Sequence, residues 1–100
     1  PRLIVLNERT VLDKEEDYKM EVVVLGMTNS DKVPVLMYRE LGKGKFKAIK
    51  MVCEKGNIFS VQIPDNTGKT LEYYVSMEIE GKVLSYPASA PEKNSTWVRL

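Results

Sequence analysis

The amino-acid sequence predicts an all-β fold, an antiparallel sandwich of seven strands, and three observations lead to that prediction. β-branched residues are abundant, with 12 Val, 5 Ile and 5 Thr against only 3 Ala, a mixture that favours strands over helices. From Gly26 onward, glycine or proline interrupts the chain too often for a long helix. Turn signals recur about every 8–12 residues, the spacing typical of a sandwich. A length of 100 residues suits one domain, so we assign residues 1–100 to a single β-sandwich.

Short apolar runs separated by turn residues mark the strands. The seven strand candidates are Arg2–Leu6, Tyr18–Leu25, Val33–Arg39, Phe46–Cys53, Ile58–Ile63, Leu71–Ile79 and Val83–Tyr86, and Thr96–Leu100 is a candidate for a last edge strand. The turn signals between them are Asn29–Lys32, Gly42–Gly44, Lys55–Asn57, Pro64–Gly68 and Gly81–Lys82.

Alternation of apolar and polar residues predicts which side chains face the core. In the second strand candidate, Met20, Val22 and Val24 share one face. The clearest alternation lies in Leu71–Ile79, where one face carries Leu71, Tyr73, Val75, Met77 and Ile79. We therefore expect Tyr73 to be buried and its neighbour Tyr74 to point outward.

Composition excludes several kinds of chemistry. The 15 basic and 14 acidic residues leave a net charge of +1, so no strong overall field favours nucleic acid or anionic lipid. The sequence has no histidine, the side chain most used for proton transfer near neutral pH, and one cysteine, Cys53. No apolar run approaches the roughly 20 residues that span a bilayer. We expect a chain that is not an enzyme, has no metal site or cofactor, binds no nucleic acid and does not insert into a membrane.

Two charged stretches each admit a functional interpretation beside a simpler one. The acidic run Asp13–Asp17 supplies carboxylates for calcium but has no glycine to sharpen the loop, so we interpret it as a solvated connection. Lys43, Lys45 and Lys47 alternate, with Lys50 nearby, and could bind a polyanion. Lysines on exposed strands also prevent edge-to-edge aggregation, which is the interpretation we favour.

Three further features lie in the second half of the chain: Gly56–Pro64 with the pattern Phe59-x-Val61-x-Ile63-Pro64, Gly68–Val75 with Leu71-x-Tyr73-Tyr74, and Gly81. Through these residues the stretch Asn57–Pro87 resembles the immunoglobulin-like and fibronectin type III-like modules of large secreted bacterial proteins. The paired cysteines of antibody domains are missing, which points to the branch of that superfamily without disulfides. In such folds an inner-face tyrosine near a strand start bonds a loop backbone group, and Tyr73 is our candidate for that role.

The resemblance implies a non-catalytic accessory, spacer or interaction module of a larger secreted or cell-surface bacterial protein. Because residue 1 is proline rather than methionine, we expect a processed chain or a domain excised from a longer one. The resemblance implies a location outside the cell, at its surface or in the periplasm. Its expected partner is a neighbouring domain of the same chain, and the module itself is expected to be a monomer.

The alternative function is carbohydrate binding by exposed aromatic side chains. Tyr74, Tyr86 and Trp97, with Tyr38 as a further member, could form a platform on which sugar rings stack. Packing in the core or against a neighbouring domain is the other interpretation of the same residues.

Overall fold

A computed structural model describes residues 1–26 and 32–100, and the regular structure of these residues consists of strands in two packed sheets. The strands are β1 (Arg2–Val5), β2 (Val11–Leu12), β3 (Lys19–Leu25), β4 (Val35–Glu40), β5 (Lys47–Lys50), β6 (Val52–Lys55), β7 (Ile58–Gln62), β8 (Thr70–Ile79), β9 (Lys82–Tyr86) and β10 (Ser95–Arg99). The prediction of an all-β sandwich is confirmed. No helix in these two stretches has the length and apolar character needed to cross a membrane.

The two sheets differ in size and in strand direction. One sheet has the order β1-β3-β7-β6, and the other has the order β2-β10-β8-β4-β5, with β9 pairing alongside β8. Among the described strands, all pairs are antiparallel except β2 with β10, which run parallel with Val11 opposite Val98. The prediction of a purely antiparallel sandwich is therefore wrong at this edge. The connection between β1 and β3, which belong to the smaller sheet, contributes β2 to the edge of the larger sheet, where it runs in the same direction as β10.

The described residues form ten strands rather than seven, and the predicted strand Phe46–Cys53 accounts for part of the difference. This segment is two strands, β5 and β6, which belong to different sheets and are separated at Met51. The Met51 N–H donates to the Pro34 carbonyl at 3.0 Å, and its side chain is only 3% exposed. Burial of Met51 between the sheets therefore anchors the crossing. The two-residue strand β2 was too short for periodicity to reveal, and residues 29–31 of a predicted turn lie outside the described residues.

The core lies between the two predicted apolar faces. Met20, Val22 and Val24 are completely buried on β3, and Tyr73 and Val75 are completely buried on β8. The predicted faces of both strands are confirmed. The sheets thus meet through the alternate residues of their long central strands.

Trp97 and Tyr73 stack on each other inside this core. Their rings stack with centroids 3.8 Å apart and planes at 11°, and Tyr18 packs edge-on against Trp97 at 6.5 Å. β10 pairs with β8 so that Trp97 lies opposite Leu71, which places the indole on the inner face. The last strand is therefore part of the core.

The tyrosine that bonds a loop backbone group is Tyr18, not Tyr73. The Tyr18 hydroxyl donates to the Asn7 carbonyl at 2.8 Å. The Tyr73 hydroxyl is buried and, within residues 1–26 and 32–100, makes no hydrogen bond of normal geometry, with the side chain of Ser95 as its polar neighbour. The prediction that Tyr73 bonds a loop backbone group was therefore wrong. Alternation along a strand shows that a tyrosine ring is buried, but it does not show which group the hydroxyl contacts.

Candidate ligand-binding surfaces

The three predicted sugar-stacking aromatics do not converge. Trp97 is 0% exposed, so its expected place on an exposed platform is wrong: packing against Tyr73 between the sheets leaves no face for a ligand. Tyr86 pairs with Val75 and therefore lies on the inner side of its sheet, whereas Tyr74 lies on the outer side. Tyr38 pairs with Tyr73 and also faces inward. No common platform of Tyr74, Tyr86 and Trp97 exists.

Tyr86 makes a hydrogen bond to the loop that follows β1. Its hydroxyl donates to the Glu8 carboxylate at 2.7 Å. Burial raises the pKa of Tyr86 to about 12, with the Glu8 carboxylate adding to the effect, and burial likewise raises the pKa of Tyr18 to about 12. Both phenols stay protonated at neutral pH, so each can donate its hydrogen bond and tie the loop after β1 to the core.

Tyr74 belongs to a small cluster on the outer face of the larger sheet. Its ring meets Phe46 edge-on at 5.1 Å, and the Arg39 guanidinium lies 4.4 Å from the centre of the Phe46 ring. Tyr74 is half-buried by this contact. The cluster holds the start of β5 against β4 and β8.

Glu72 is the polar centre that organises the β4–β5 hairpin. Its carboxylate accepts from Arg39 Nε at 3.0 Å, from the Gly42 N–H at 2.7 Å and from Asn94 Nδ2 at 2.9 Å. The Gly42 N–H, followed by the Asn94 and Arg39 bonds, holds the pKa of the nearly buried Glu72 carboxyl below its ordinary value. Arg39 also donates to the Gly44 carbonyl at 2.9 Å. One carboxylate therefore fixes the hairpin tip.

A cavity of about 410 Å³ opens at the end of the sandwich, between this hairpin and the connection from β7 to β8. Five cationic side chains line it: Arg39, Lys43, Lys45, Lys47 and Lys69. Two acids, Glu40 and Asp65, and an apolar set, Tyr38, Pro64 and Leu71, complete the lining. The volume falls within the range of small-molecule sites, roughly 300–1,000 Å³. This cavity, which we call the basic mouth, has the strongest local charge imbalance of the cavities described.

The sequence analysis identified the hairpin wall of the basic mouth but missed the other wall. Lys43, Lys45 and Lys47 were visible as an alternating run, and Lys50 lies outside the cavity. Asp65 lies in the predicted turn Pro64–Gly68 and Lys69 directly follows it, more than 15 residues further along the chain than Lys47. No local pattern connects the two walls, since they are brought together by the pairing of β4 with β8, in which Glu40 lies opposite Leu71.

The acidic run 13–17 is a charged loop held by arginines. The Arg9 guanidinium bonds the Glu16 carboxylate and thereby lowers the pKa of Glu16. Arg99 donates to the carbonyls of Asp13 and Glu16, both at 2.9 Å. In the described stretches, no three acidic or cysteine side chains come together in a way that could hold a metal ion.

Comparisons with protein-family models and with curated proteins found no match for this chain.

Proposed function

We propose that this chain is a non-catalytic accessory or interaction module, related to immunoglobulin-like and fibronectin type III-like sandwiches, within a larger secreted or cell-surface bacterial protein. In this role it separates or stiffens the domains of the parent protein, or packs against a neighbouring domain. The single observation that carries the proposal is the strand order of the two sheets.

The strand order matches the immunoglobulin scheme once three strands are set aside. In that scheme the first, second, fifth and fourth strands form one sheet in space, and the third, sixth and seventh form the other. Without β2, β5 and β9, seven of the strands in residues 1–26 and 32–100 remain. One sheet then has the order β1-β3-β7-β6 and the other β10-β8-β4, and this order supports the proposed class. Topology and the sequence resemblance therefore support the same class.

The directions of the outer strands support a module placed in series with others. β1 starts where Arg2 pairs with Leu25, at the end of β3. β10 finishes at the other end of β3, where Arg99 reaches the loop of Asp13 and Leu100 bonds to the Leu12 carbonyl at 2.9 Å. A segment preceding β1 and a segment following β10 would leave the sandwich from opposite ends, which is the geometry expected of a spacer.

A filled interior supports a role without catalysis. Large side chains, Trp97 and Tyr73 above all, occupy the space between the sheets. An accessory module of this kind needs a stable, self-contained core, and such cores in small single domains unfold in one cooperative step.

The test is to produce residues 1–100 alone and to follow urea unfolding by two probes. Trp97 is the one tryptophan and is buried, so its fluorescence reports the core, while far-ultraviolet circular dichroism reports the sheets. We expect coincident transitions, a monomer in sedimentation equilibrium, and no turnover of glycoside, ester or peptide substrates. Separate transitions, a stable dimer, or catalytic turnover would each overturn the proposal.

A further inference from the structure

We propose that the basic mouth binds an acidic sugar, such as a uronic-acid residue of a polysaccharide, between the β4–β5 hairpin and the β7–β8 connection. This site is separate from Tyr74, Tyr86 and Trp97, and it does not depend on the accessory role proposed above. The observations that carry it are the excess of cationic over acidic side chains in the mouth and the apolar surface among them.

The cations of the mouth come from both walls. Lys47 lies opposite Tyr38 on the neighbouring strand, and Tyr38 lies opposite the buried Tyr73. Directly paired residues share a face, so Lys47 is on the inner face of its sheet, where it can reach the space between the sheets. Lys45 lines the same wall, and Lys69 lines the opposite one. An anion in the cavity would thus be approached by ammonium groups from two sides.

Most of this positive charge has no acid partner inside the chain. Lys43 pairs weakly with Glu40 at 3.5 Å, and Arg39 is committed to Glu72 at 3.0 Å. Within the described part of the chain, Lys45, Lys47 and Lys69 form no ion pair. Three ammonium groups around one cavity repel one another, and a bound anion would relieve that repulsion.

The rest of the lining suits a sugar better than a simple ion. Tyr38, Pro64 and Leu71 provide apolar surface against which a ring face can pack, and sugar-binding sites combine such surface with a few fixed polar groups. Asp65 and Glu40 are acceptors for sugar hydroxyls. Bonds from Thr67 lower the pKa of Asp65, which therefore remains an ionised acceptor at neutral pH.

Both walls are fixed before any ligand arrives, which reduces the ordering cost of binding. Glu72 holds the hairpin tip through Gly42, and the Leu41 N–H donates to the Thr70 carbonyl at 2.9 Å. On the other side, the Lys69 N–H donates to the Asn66 carbonyl at 2.9 Å. The lysine stems extend from these two braced turns.

The test is isothermal titration of the intact chain at low salt with four probes. They are a short oligogalacturonate, a neutral oligosaccharide of the same length, inorganic phosphate, and an oligoglutamate peptide. We expect the oligogalacturonate to bind at least about tenfold more tightly than each of the others. This affinity should fall when ionic strength rises from about 0.01 M to about 1 M, because the screening length shrinks from roughly 30 Å to roughly 3 Å.

A matched pair of double variants assigns the binding to the mouth. Lys45→Ala with Lys69→Ala removes one cation from each wall, and we expect at least a tenfold loss of affinity. Lys55→Ala with Lys82→Ala removes the same charge from the last residue of β6 and the first residue of β9, at the other end of the sandwich, and we expect a change of less than about twofold. Circular dichroism shows whether each variant is folded, and the single substitution Lys45→Ala serves if the first double variant is not.

Each contrary outcome overturns the proposal. Equal binding of phosphate would mean that the mouth recognises charge alone. Stronger binding of the peptide would mean that the site accepts acidic polypeptide. Equal losses in the two double variants would place the binding elsewhere, and the absence of saturable binding by the oligogalacturonate would rule out the site. None of these outcomes bears on the unfolding test of the accessory role.

Discussion

Two buried tyrosines should respond in opposite directions to the same substitution. Tyr18 and Tyr73 both pack against Trp97 and are 6% and 0% exposed. Their hydroxyls differ: that of Tyr18 donates to the Asn7 carbonyl at 2.8 Å, whereas that of Tyr73 makes no hydrogen bond of normal geometry in the described residues. Replacement by phenylalanine removes one oxygen from each and leaves the rings in place.

The expected magnitudes follow from these two environments. Tyr18→Phe should cost about 1 kcal/mol, because it removes a net favourable hydrogen bond and leaves a carbonyl without its donor. Tyr73→Phe should be neutral or stabilise the domain by up to about 1 kcal/mol, because burial of an unpaired hydroxyl carries a desolvation cost of roughly 1–3 kcal/mol. For a domain of this size, 1 kcal/mol corresponds to roughly 4–8 °C in melting temperature.

The assay is urea unfolding of the wild type and both variants, followed by Trp97 fluorescence and checked by calorimetry. We expect Tyr73→Phe to lie at or above the wild type and Tyr18→Phe to lie clearly below it. A loss of about 1 kcal/mol or more for Tyr73→Phe would refute the reasoning, since it would show that this hydroxyl is bonded in the folded state. Equal losses for both variants would refute it in the same way.

Four further outcomes are expected. Tyr73→Ala should cost roughly 3–5 kcal/mol and Tyr74→Ala much less, measured by urea unfolding, because only Tyr73 is fully buried. Because the pKa of Glu72 is lower in the folded than in the unfolded state, this carboxylate stabilises the fold above its unfolded pKa, and that stabilisation is lost as the pH falls through its folded pKa. Melting temperature should therefore decline less steeply below about pH 5 in Glu72→Gln than in the wild type. Glu80 has φ of 51° beside Gly81 at 75°, so Glu80→Asn should raise the melting temperature by a few degrees, and a fall would contradict this turn geometry. The melting temperature should be the same in excess EDTA and in calcium, and a rise with calcium would identify a metal site in the loop 13–17.

One wall of the basic mouth could be predicted from the sequence, whereas the other could not, because it lies far along the chain from the first. The alternation of Lys43, Lys45 and Lys47 is a local pattern, and it correctly marked a concentration of positive charge on the hairpin. Lys69 lies beyond two more strands, directly after a turn whose sequence indicated only a change of direction. The net charge of +1 did not reveal this local excess of positive charge, because a sum over the whole chain does not say where the charged residues lie.

The aromatic residues show the same division between local and tertiary information. Period-two alternation separated Tyr73 from Tyr74, and the structure places them on opposite faces. Trp97 lies in a short strand whose neighbours, Thr96 and Val98, gave no strong alternation, so its burial could not be inferred. Its position depends on β10 pairing with β8, a contact between distant segments.

By itself, the sequence determined the all-β class, most strand positions and the inward faces of β3 and β8. These features depend on interactions between residues two positions apart and on turn chemistry, and both are encoded locally. Only the tertiary structure decided that the chain crosses between sheets at Met51, that Tyr18 rather than Tyr73 bonds a loop, and that two lysine-bearing turns enclose one cavity. Each of these depends on which strands pair and which surfaces meet when the sheets pack, and the free energy of that pairing and packing is shared among residues far apart in the sequence.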